Sequence, residues 1–351
     1  MLAPATLAER TTLRVGGPAD GWVVAESDDE LVEAVRECDD TGTAVLLLGD
    51  GSNIVVADSG FRGTVVDVAT RGVAVADVPG GVSLSVKAGE PWDDLVDYAV
   101  RQGWSGIEAL SGIPGRCGST PIQNVGAYGQ EVAQVITSVQ ALDRRGGEIV
   151  TLDPAECGFG YRSSVFKESP GRWAVLGVTM RLSAAGTGAV AYAELARTLG
   201  VEVGGQADLR DIRAAVLLLR HRKGMALDAH DHDTRSAGSF FTNPVVEDDA
   251  SVPEGCPRFP AVRGIKLSAA WLIEQAGVPR GFSLGEGSRA AISGHQPRRG
   301  ERGRRDGPRP GRPGPRPPAL RHRPGDRADP RRRPGLTRLL RPGRSPRAPS
   351  R

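Results

Sequence analysis

Apolar and polar residues along the first 185 positions of the chain recur with the periods of both helices and strands. Between Ser27 and Gly42, apolar residues stand three or four positions apart, and acidic residues crowd the start of the segment. A serine before such a stretch is a typical helix cap, and a glycine after it is a typical stop. The pattern therefore predicts a helix over Asp28–Thr41.

Short apolar runs in the same region have the length of β-strands, and some show strict alternation. A second helix is predicted from Pro91 through Val100, because proline suits the first turn and Gly103 follows as a stop. Strands and helices thus alternate over residues 17–185. The predicted strands are Ala44–Leu48, Ile54–Ala57, Thr64–Val68, Val82–Lys87, Val135–Leu142 and Trp173–Leu182.

The pattern changes after the segment Gly186–Gly188, which is predicted to be a linker. Asp208–Arg222 carries an apolar helical face, and Leu267–Ala276 predicts another helix. We therefore expect an α+β protein in three folded parts. These are an N-terminal segment over residues 1–16, a larger domain over 17–185 and a smaller α+β domain over 190–294.

The net charge of +3 averages two unlike parts of the chain. Residues 1–295 hold 38 acidic and 26 basic side chains, a net −12, which argues against a face that binds nucleic acid or a membrane surface. No run of about 18 apolar residues predicts a membrane-spanning helix. The first 15 residues lack the apolar core of a signal peptide, and the four cysteines form no close pair. We therefore expect a cytoplasmic protein with reduced thiols.

Residues 295–351 have a different composition. From Gln296 onward, 56 residues include 19 Arg, 13 Pro and 8 Gly against four acidic residues, a net +15. Such a segment cannot bury enough apolar surface to offset the entropy lost on ordering its backbone. It is therefore predicted to be a disordered tail.

Two glycine-rich loops carry the candidate chemistry of the larger domain. Gly49–Asn53 follows a predicted strand, and turns in that position can present backbone N–H groups to phosphates. By itself this segment is more typical of a tight turn. Gly103–Gly129 contains seven glycines. A loop of that length inside a compact domain is usually functional or disordered, and its apolar and amide residues argue against disorder.

The stretch Ser111–Gly129 has the sequence SGIPGRCGSTPIQNVGAYG, and Leu46–Asn53 has the sequence LLLGDGSN. Both resemble FAD-binding loops of the UDP-N-acetylenolpyruvoylglucosamine reductase family. The resemblance implies a two-part FAD-binding domain of the vanillyl-alcohol-oxidase/PCMH type, followed by a separate substrate-binding domain. It assigns cofactor contacts to Leu48, Gly49, Gly51, Ser52, Asn53, Ser111, Gly112, Ile113, Pro114, Gly115, Gly118, Ser119, Gln123, Asn124, Gly126, Ala127 and Tyr128.

Two further segments resemble catalytic segments of the same family. Gly160–Lys167, with the sequence GYRSSVFK, places Arg162 where the family has an active-site arginine. A fixed guanidinium suits a carboxylate or a developing enolate charge. Ala237–Pro244, with the sequence AGSFFTNP, places Ser239 where the family has its proton donor. Without the resemblance, the simpler interpretation of Arg162 is a surface ion pair, and that of Ser239 is an ordinary serine at the end of a strand.

The resemblance also implies four substrate contacts, Tyr192, Lys223, Asn243 and Gln275. Lys223 ends the segment RHRK, and its alternative role is a solvated helix end that interacts favourably with the helix dipole. Closely spaced Asp and His residues over 228–233 are typical of zinc ligands. No further ligands converge on them in the sequence, so we expect a solvated loop there and no metal.

The family implies a two-step reaction with FAD and NADPH as cofactors. NADPH reduces the flavin, which then reduces the enolpyruvyl ether of UDP-N-acetylglucosamine to UDP-N-acetylmuramate, a precursor of peptidoglycan. The expected partner is therefore a small-molecule UDP-sugar, with no nucleic acid and no membrane. The chain is expected to be a monomer.

The resemblance ends near residue 294, before the segment in which family members carry a second catalytic residue, a glutamate. The chain has 41 Arg against 4 Lys, which indicates a GC-rich gene, and out-of-frame reading of such a gene yields Arg, Pro and Gly. A shift of one base at His295–Gly300 permits Thr-Asn-Arg-Gly-Gly, and later Phe-Gly and Glu-Pro, as in the family. We therefore favour a frameshift near Gly294–His295 over a natural basic tail that binds acidic polymers. A chain without the glutamate is expected to be catalytically impaired.

Overall fold

The computed structural model describes residues 6–228, 230, 231, 234, 235, 241–261, 264–278, 283, 284, 288 and 289. All of these belong to one compact unit, Met1–Arg298. The tail that the sequence predicts to be disordered, 295–351, lies outside the described residues. No helix among the described residues is long and apolar enough to cross a membrane.

The larger domain contains two main β-sheets with helices packed against them, and a small antiparallel pair of strands, β6 and β7. Its helices are α1 (Asp28–Asp40), α2 (Trp92–Gln102) and α3 (Val165–Glu168). Its strands are β1 (Ala19–Ala25), β2 (Val45–Leu48), β3 (Phe61–Val68), β4 (Val73–Val78), β5 (Gly81–Lys87), β6 (Gly126–Ala127), β7 (Gln130–Glu131), β8 (Ile136–Asp143), β9 (Glu148–Leu152) and β10 (Trp173–Ser183).

The first sheet is parallel, with the strand order β1-β3-β2, and α1 connects β1 to β2. The helix begins where the sequence predicts, because the Ser27 hydroxyl accepts a hydrogen bond from the Glu30 N–H at 3.2 Å. The Glu30 carboxylate in turn accepts one from the Ser27 N–H at 3.3 Å, which completes a capping box. The predicted strand before the first glycine-rich loop is confirmed as β2.

The second sheet is antiparallel, with the strand order β4-β5-β10-β8-β9. Helix α2 packs beside it and ends at Gly103, whose φ of 77° gives the left-handed cap that glycine adopts without strain. Helix α1 contacts β1 and β3 of the first sheet and β10 of the second. Side chains from both sheets and both helices therefore form one continuous apolar core, in which Leu84, Trp92 and Met180 are almost fully buried.

The strand predicted over Ile54–Ala57 is wrong. This segment pairs with no strand, and Val55 is 63% exposed. The Ala57 carbonyl instead accepts hydrogen bonds from the N–H groups of Gly17 and Gly60, both at 2.9 Å. The apolar run is therefore satisfied by a loop that lies against the N-terminal segment.

The smaller domain is built from short elements. Its helices are α4 (Ala193–Leu199), α5 (Leu209–Arg222) and α6 (Ala269–Gln275). Its strands are β11 (Thr187–Ala189), β12 (Gln206–Asp208), β13 (Val245–Val246), β14 (Arg258–Pro260), β15 (Ile265–Leu267), β16 (Ser283–Leu284) and β17 (Ser288–Arg289). Strands β13, β15 and β14 form a small antiparallel sheet in that order, and α4 packs on α5.

The linker predicted at Gly186–Gly188 is also wrong, because two of its residues belong to β11, which pairs with β12. Gly188 is buried, and a Cβ atom at this position would lie only 2.1 Å from Oε1 of the buried Glu108. A glycine that suggests flexibility in the sequence therefore serves close packing at the junction of the two domains.

Helix α5 confirms the predicted amphipathic pattern and joins the domains. Asp208 caps its start by accepting a hydrogen bond from the Arg210 N–H at 2.8 Å. The Arg213 guanidinium donates to both carboxylate oxygens of Asp93 in α2, at 2.6 and 2.9 Å. This bidentate ion pair attaches α5 to the larger domain.

Candidate active site

A cleft of about 420 Å³ lies where the glycine-rich loops of the larger domain meet the smaller domain. It brings together residues from positions 52 to 243 of the chain. Twelve of the residues predicted for binding or catalysis line it, namely Ser52, Asn53, Ile113, Pro114, Gln123, Gly126, Ala127, Tyr128, Arg162, Tyr192, Lys223 and Asn243.

The two glycine-rich loops are hydrogen-bonded to each other at the cleft. The Ser52 hydroxyl donates to the Pro114 carbonyl at 3.2 Å, and the Asn53 side-chain amide donates to Gln123 Oε1 at 3.1 Å. These partners are 62 and 70 positions apart in the chain. The fold therefore joins the two predicted cofactor loops into a single surface.

Several backbone N–H groups of the two loops lack a hydrogen-bond acceptor among the described residues. No residue in the described part of the chain accepts a hydrogen bond from the N–H groups of residues 50–53, 113, 115 or 116. Several adjacent, unpaired N–H groups in a glycine-rich turn form a site for an anion such as a pyrophosphate. The donors present therefore fit the pyrophosphate of FAD.

Other N–H groups of the second loop hold the loop itself in place. The Gly112 N–H donates to Asp93 Oδ1 at 2.6 Å, the Gly118 N–H to the Ala88 carbonyl at 2.8 Å, and the Ser119 N–H to the Arg116 carbonyl at 3.0 Å. Contacts between these three predicted residues and a cofactor would have to use other atoms. Gly118 also lies so close to Ala88 that a Cβ atom would approach its Cβ to 2.5 Å.

The remaining predicted cofactor residues lie behind or beside the two loops. Leu48 is buried at the end of β2, and the Ser111 hydroxyl donates to the Glu108 carbonyl at 2.7 Å. Gly51 has a φ of 60°, and a Cβ atom there would lie 2.2 Å from the Arg10 carbonyl oxygen, so only glycine fits. Gly49 and Gly115 complete the turns of the two loops. A Cβ atom at these positions would lie 3.5 Å from Ser119 Oγ and 3.4 Å from Ser52 Oγ, respectively.

Arg162 forms part of the cleft wall in a conformation that is unusual for a residue with a side chain. Its φ is 54°, and Asn124 and Tyr128 beside it also have positive φ, at 43° and 48°. The Arg162 guanidinium donates to the carbonyls of Asn124, at 3.0 Å, and of Gly126. Such backbone strain persists only where the surroundings enforce it, and it is found most often at functional sites.

Aromatic and cationic groups form the opposite wall. The rings of Tyr128 and Tyr192 meet edge to face, with centroids 5.6 Å apart. The Lys223 ammonium lies 2.5 Å from Glu194 Oε2 and 5.8 Å from the centroid of the Tyr128 ring. Burial raises the pKa of Tyr128 to about 12, so its hydroxyl stays protonated at neutral pH.

Arg220 lines the cleft, although the sequence assigned it no role. It is buried, and its guanidinium donates to the carbonyls of Gly112 at 3.1 Å and Met225 at 2.9 Å. Burial lowers the pKa of Arg220, although Tyr128 and Asp93 favour the charged form. The available signal was its position four residues after Val216, on the buried face of α5. Tyr161, Val125, Met225, Phe241 and Thr242 also line the cleft without having been assigned.

Three predictions of the sequence lie away from the cleft or outside the described residues. Ser239 lies outside them. Gln275 ends α6, is exposed and is absent from the cleft lining. In the Asp- and His-rich loop, His232 and Asp233 also lie outside, and no group of three or more metal-ligating side chains occurs among the described residues. The four cysteines are free thiols, as predicted.

Comparisons with known proteins agree with the two-loop surface. A family model for an FAD binding domain matches residues 19–153, and one for the C-terminal domain of UDP-N-acetylenolpyruvoylglucosamine reductase matches residues 229–298. The reductase of that name from Cutibacterium acnes is 53% identical over 292 residues, which cover 82% of this chain and 77% of the relative. The chain belongs to the UDP-N-acetylenolpyruvoylglucosamine reductase family.

Further members of the family show the same extent of similarity. The reductase from Saccharopolyspora erythraea is 52% identical over 302 residues, 82% of either chain. A crystal structure of UDP-N-acetylenolpyruvylglucosamine reductase from Thermus caldophilus matches with a TM-score of 0.51 and 27% identity, over 82% of this chain and 85% of that one. The fold is therefore an FAD-binding domain of the PCMH type followed by the C-terminal domain of this family, as the sequence predicted.

Proposed function

We propose that this chain binds FAD on the two glycine-rich loops and uses NADPH to reduce UDP-N-acetylglucosamine enolpyruvate to UDP-N-acetylmuramate. The observation that carries the proposal is the shared cleft, which Arg162 and Lys223 line together with Ser52, Asn53 and Ile113, three loop residues whose N–H groups have no acceptor in the described part of the chain. The family membership supports the same activity.

In this proposal the first domain holds the cofactor. The N–H groups of residues 50–53, 113, 115 and 116 bind the pyrophosphate, because they have no acceptor in the described part of the chain. Glycines at the turns allow the backbone to approach the cofactor closely. FAD, when bound, supplies the hydride chemistry between NADPH and the substrate.

Arg162 is proposed to act on the carboxylate end of the substrate. Two carbonyl groups orient its guanidinium, and an arginine has five N–H donors in total, so donors remain for a ligand. A guanidinium that is already oriented stabilises negative charge as it develops beside the carboxylate. Ser239 is proposed to donate the proton, a role that rests on the sequence resemblance alone.

The opposite wall is proposed to bind the UDP-sugar. The Lys223 ammonium suits a diphosphate oxygen, and Tyr192 offers an exposed aromatic face beside it. The side-chain oxygen Oδ1 of Asn243 accepts a hydrogen bond from the Ala269 N–H at 3.0 Å, which leaves the side-chain N–H₂ group for a ligand. We retain Gln275 as a proposed contact from the resemblance.

A steady-state assay tests the proposal. The purified full chain with FAD should oxidise NADPH only when the enolpyruvyl substrate is present. Arg162→Met should lower kcat by about 10²–10³-fold, since it removes one preorganised charge from the transition state. Arg181→Met, an exposed arginine in β10 outside the cleft, is the control and should leave kcat unchanged. Failure of the wild-type chain to bind FAD would reject the proposal.

A second candidate function is a flavin-binding homologue with impaired turnover. It is favoured by the sequence after residue 294, which contains one glutamate, Glu301, in an Arg-rich context unlike the family's terminal segment. Loss of a proton-transfer group typically costs about 10²–10⁴-fold in rate. The same assay decides, if the chain is compared with a version in which the codons after Gly294 are read one base later. Equal kcat values for the two versions would exclude impairment.

The remaining assignments follow from this activity. We propose a monomeric, cytoplasmic enzyme of peptidoglycan synthesis, which thereby supports cell shape and division. The acidic body, at −12 over residues 1–295, supports the absence of a nucleic-acid partner. We propose domain bounds of 17–185 for cofactor binding and 190–294 for substrate binding.

A further inference from the structure

A network of four charged side chains lies directly behind the two cofactor loops. The Arg116 guanidinium donates to Asp50 Oδ1 at 2.9 Å and to Asp67 Oδ1 at 2.8 Å. It also donates to the Val68 carbonyl. Asp67 forms a second ion pair with Arg10, whose Nη2 lies 2.5 Å from Asp67 Oδ2. The network thus joins the N-terminal segment, the first loop, the end of β3 and the second loop.

The two ends of the network differ in exposure. Asp67 and Arg116 are buried, with 2% and 9% of their side chains exposed, whereas Asp50 is 42% exposed. Asp67 forms ion pairs with both Arg10 and Arg116, whereas Asp50 forms an ion pair with Arg116. Arg116 therefore links the buried Asp67 to the partly exposed carboxylate of Asp50, which belongs to the first glycine-rich loop.

Asp50 places a negatively charged side chain in a loop whose backbone suits an anion. It belongs to the run of residues 50–53, whose unpaired N–H groups suit a pyrophosphate. A free carboxylate there would repel a pyrophosphate at close range, because like charges a few ångströms apart raise each other's free energy. Pairing with Arg116 neutralises the Asp50 carboxylate and so offsets that repulsion.

Arg116 also sets the position of the first loop. The other described links between the loops, Ser52 to Pro114 and Asn53 to Gln123, are neutral hydrogen bonds of 3.2 and 3.1 Å. The Arg116–Asp50 contact is a charged hydrogen bond, and such bonds are about twice as strong as neutral ones. The backbone of Arg116 is held too, since its carbonyl accepts bonds from the Ser119 N–H and hydroxyl.

We propose that Arg116 is a positioning residue for the cofactor, which holds the first loop against the second and neutralises Asp50 so that a pyrophosphate can bind. The inference rests on the proposed function, because it concerns FAD at that same surface. It assigns Arg116 two separable effects, one of loop position and one of charge. Removal of Asp50 cancels the second effect but not the first.

The test measures FAD affinity of the full chain by quenching of flavin fluorescence, for Arg116→Met alone and combined with Asp50→Asn. Arg116→Met should weaken FAD binding about tenfold or more, since it frees a carboxylate at the anion site. The double variant should recover to within about threefold of wild type. The deficit of the single variant should shrink between 0.05 and about 0.5 M salt, because salt screens the repulsion.

A matched control is the exposed ion pair between Arg62 and Asp20, in which 89% and 53% of the side chains are exposed. Arg62→Met, with and without Asp20→Asn, should leave FAD affinity unchanged. If Arg116→Met does not fold by circular dichroism, Arg116→Lys replaces it. A lysine keeps a charge near Asp67 but cannot reach Asp50 at the same time, and the same partial recovery by Asp50→Asn is expected.

Each outcome of these measurements either supports or overturns the proposed role of Arg116. Equal FAD affinities for wild type and the Arg116 variant would overturn the inference and leave the proposed function intact. Equal weakening in the single and double variants would show a purely structural role and would also overturn it. No FAD binding by the wild-type chain would overturn the proposed function together with the inference. Weakening that Asp50→Asn partly reverses supports it.

Discussion

The two domains hold their sides of the cleft in different ways. The larger domain supports its loops with one continuous apolar core that extends through both sheets, α1 and α2. The described part of the smaller domain has a cluster of eight buried apolar residues, centred on α4 and α5 and including Ala109 of the larger domain. The cofactor side is therefore fixed mainly by burial, whereas the substrate side depends on a small cluster and on polar contacts.

Polar contacts on the substrate side are few and specific. Arg213 connects α5 to Asp93, Arg220 connects the end of α5 to the Gly112 carbonyl, and Lys223 pairs with Glu194 of α4. Each is an ion pair or a charged hydrogen bond with good geometry, but none adds much buried apolar area. A wall with few buried apolar contacts can open locally at a lower free energy than one held by a large core.

The largest expected effect comes from a cavity in the larger core. Trp92→Ala removes a fully buried ring whose indole N–H donates to the Leu110 carbonyl at 3.1 Å, just before the second loop. It should lower the free energy of unfolding by about 3–5 kcal/mol and weaken FAD binding. Leu219→Ala in the smaller cluster should cost about 2–3 kcal/mol and leave FAD binding nearly unchanged. Urea unfolding measures the free energy of unfolding of each variant, and flavin titration measures its FAD affinity. Equal losses of FAD affinity in the two variants would contradict a cofactor side that is held by the larger core.

A medium effect is expected from Arg213→Met, which separates α5 from α2. Burial tends to raise the pKa of Asp93, but hydrogen bonds from Arg213 and the Gly112 N–H outweigh it and lower the pKa. We expect a loss of about 1–3 kcal/mol at pH 7 and a higher KM for the UDP-sugar with little change in kcat.

The pH dependence sharpens that prediction. A lowered carboxylate pKa stabilises the fold above the unfolded value of about 4, and this contribution disappears as the pH falls below it. The stability difference between wild type and Arg213→Met should therefore narrow below about pH 4. Arg210→Met, at an exposed position on the same helix, is the matched control and should be neutral. A pH-independent difference would show that packing, rather than the ion pair, holds α5.

The smallest effect is expected from Tyr128→Phe, where the two walls meet. Because burial raises the pKa of this phenol to about 12, its neutral form stabilises the fold below the unfolded value of about 10. That contribution is lost as the pH rises from about 10 to 12. Tyr128→Phe should change stability by less than about 0.5 kcal/mol at pH 7 but should lose less stability than wild type above pH 10. Parallel alkaline curves would contradict the burial of this hydroxyl.

Local patterns in the sequence predicted the longer helices of both domains and several strands of the larger one. The capped helix α1, helix α2 with its glycine stop and helix α5 were all visible from spacing and end residues. Strands β4 and β9 and helix α4 were not, since Val73, Val75 and Ile149 lie exposed on edge strands and α4 is short. Edge strands and short helices carry too weak a pattern for reliable prediction.

Glycine shows the limits of local reasoning most directly. Gly42 and Gly103 end helices, as their positions in the sequence predicted. Gly188 was taken for part of a linker, whereas it packs closely against Glu108. Gly118, a predicted cofactor residue, also packs closely, in this case against Ala88. A glycine has no side chain that would reveal its neighbour, so its purpose depends on what lies beside it in space.

Residue types at fixed spacing were enough to indicate the longer helices, the two glycine-rich loops and the family. Which loop N–H groups lack an acceptor, and that Arg116 pairs with Asp50 across 66 positions, became visible in the folded chain alone. It also placed Arg220 against Gly112, 108 positions away. These contacts depend on how the sheets and α5 pack, and burial of a charged group requires a partner that only the folded chain can bring to it.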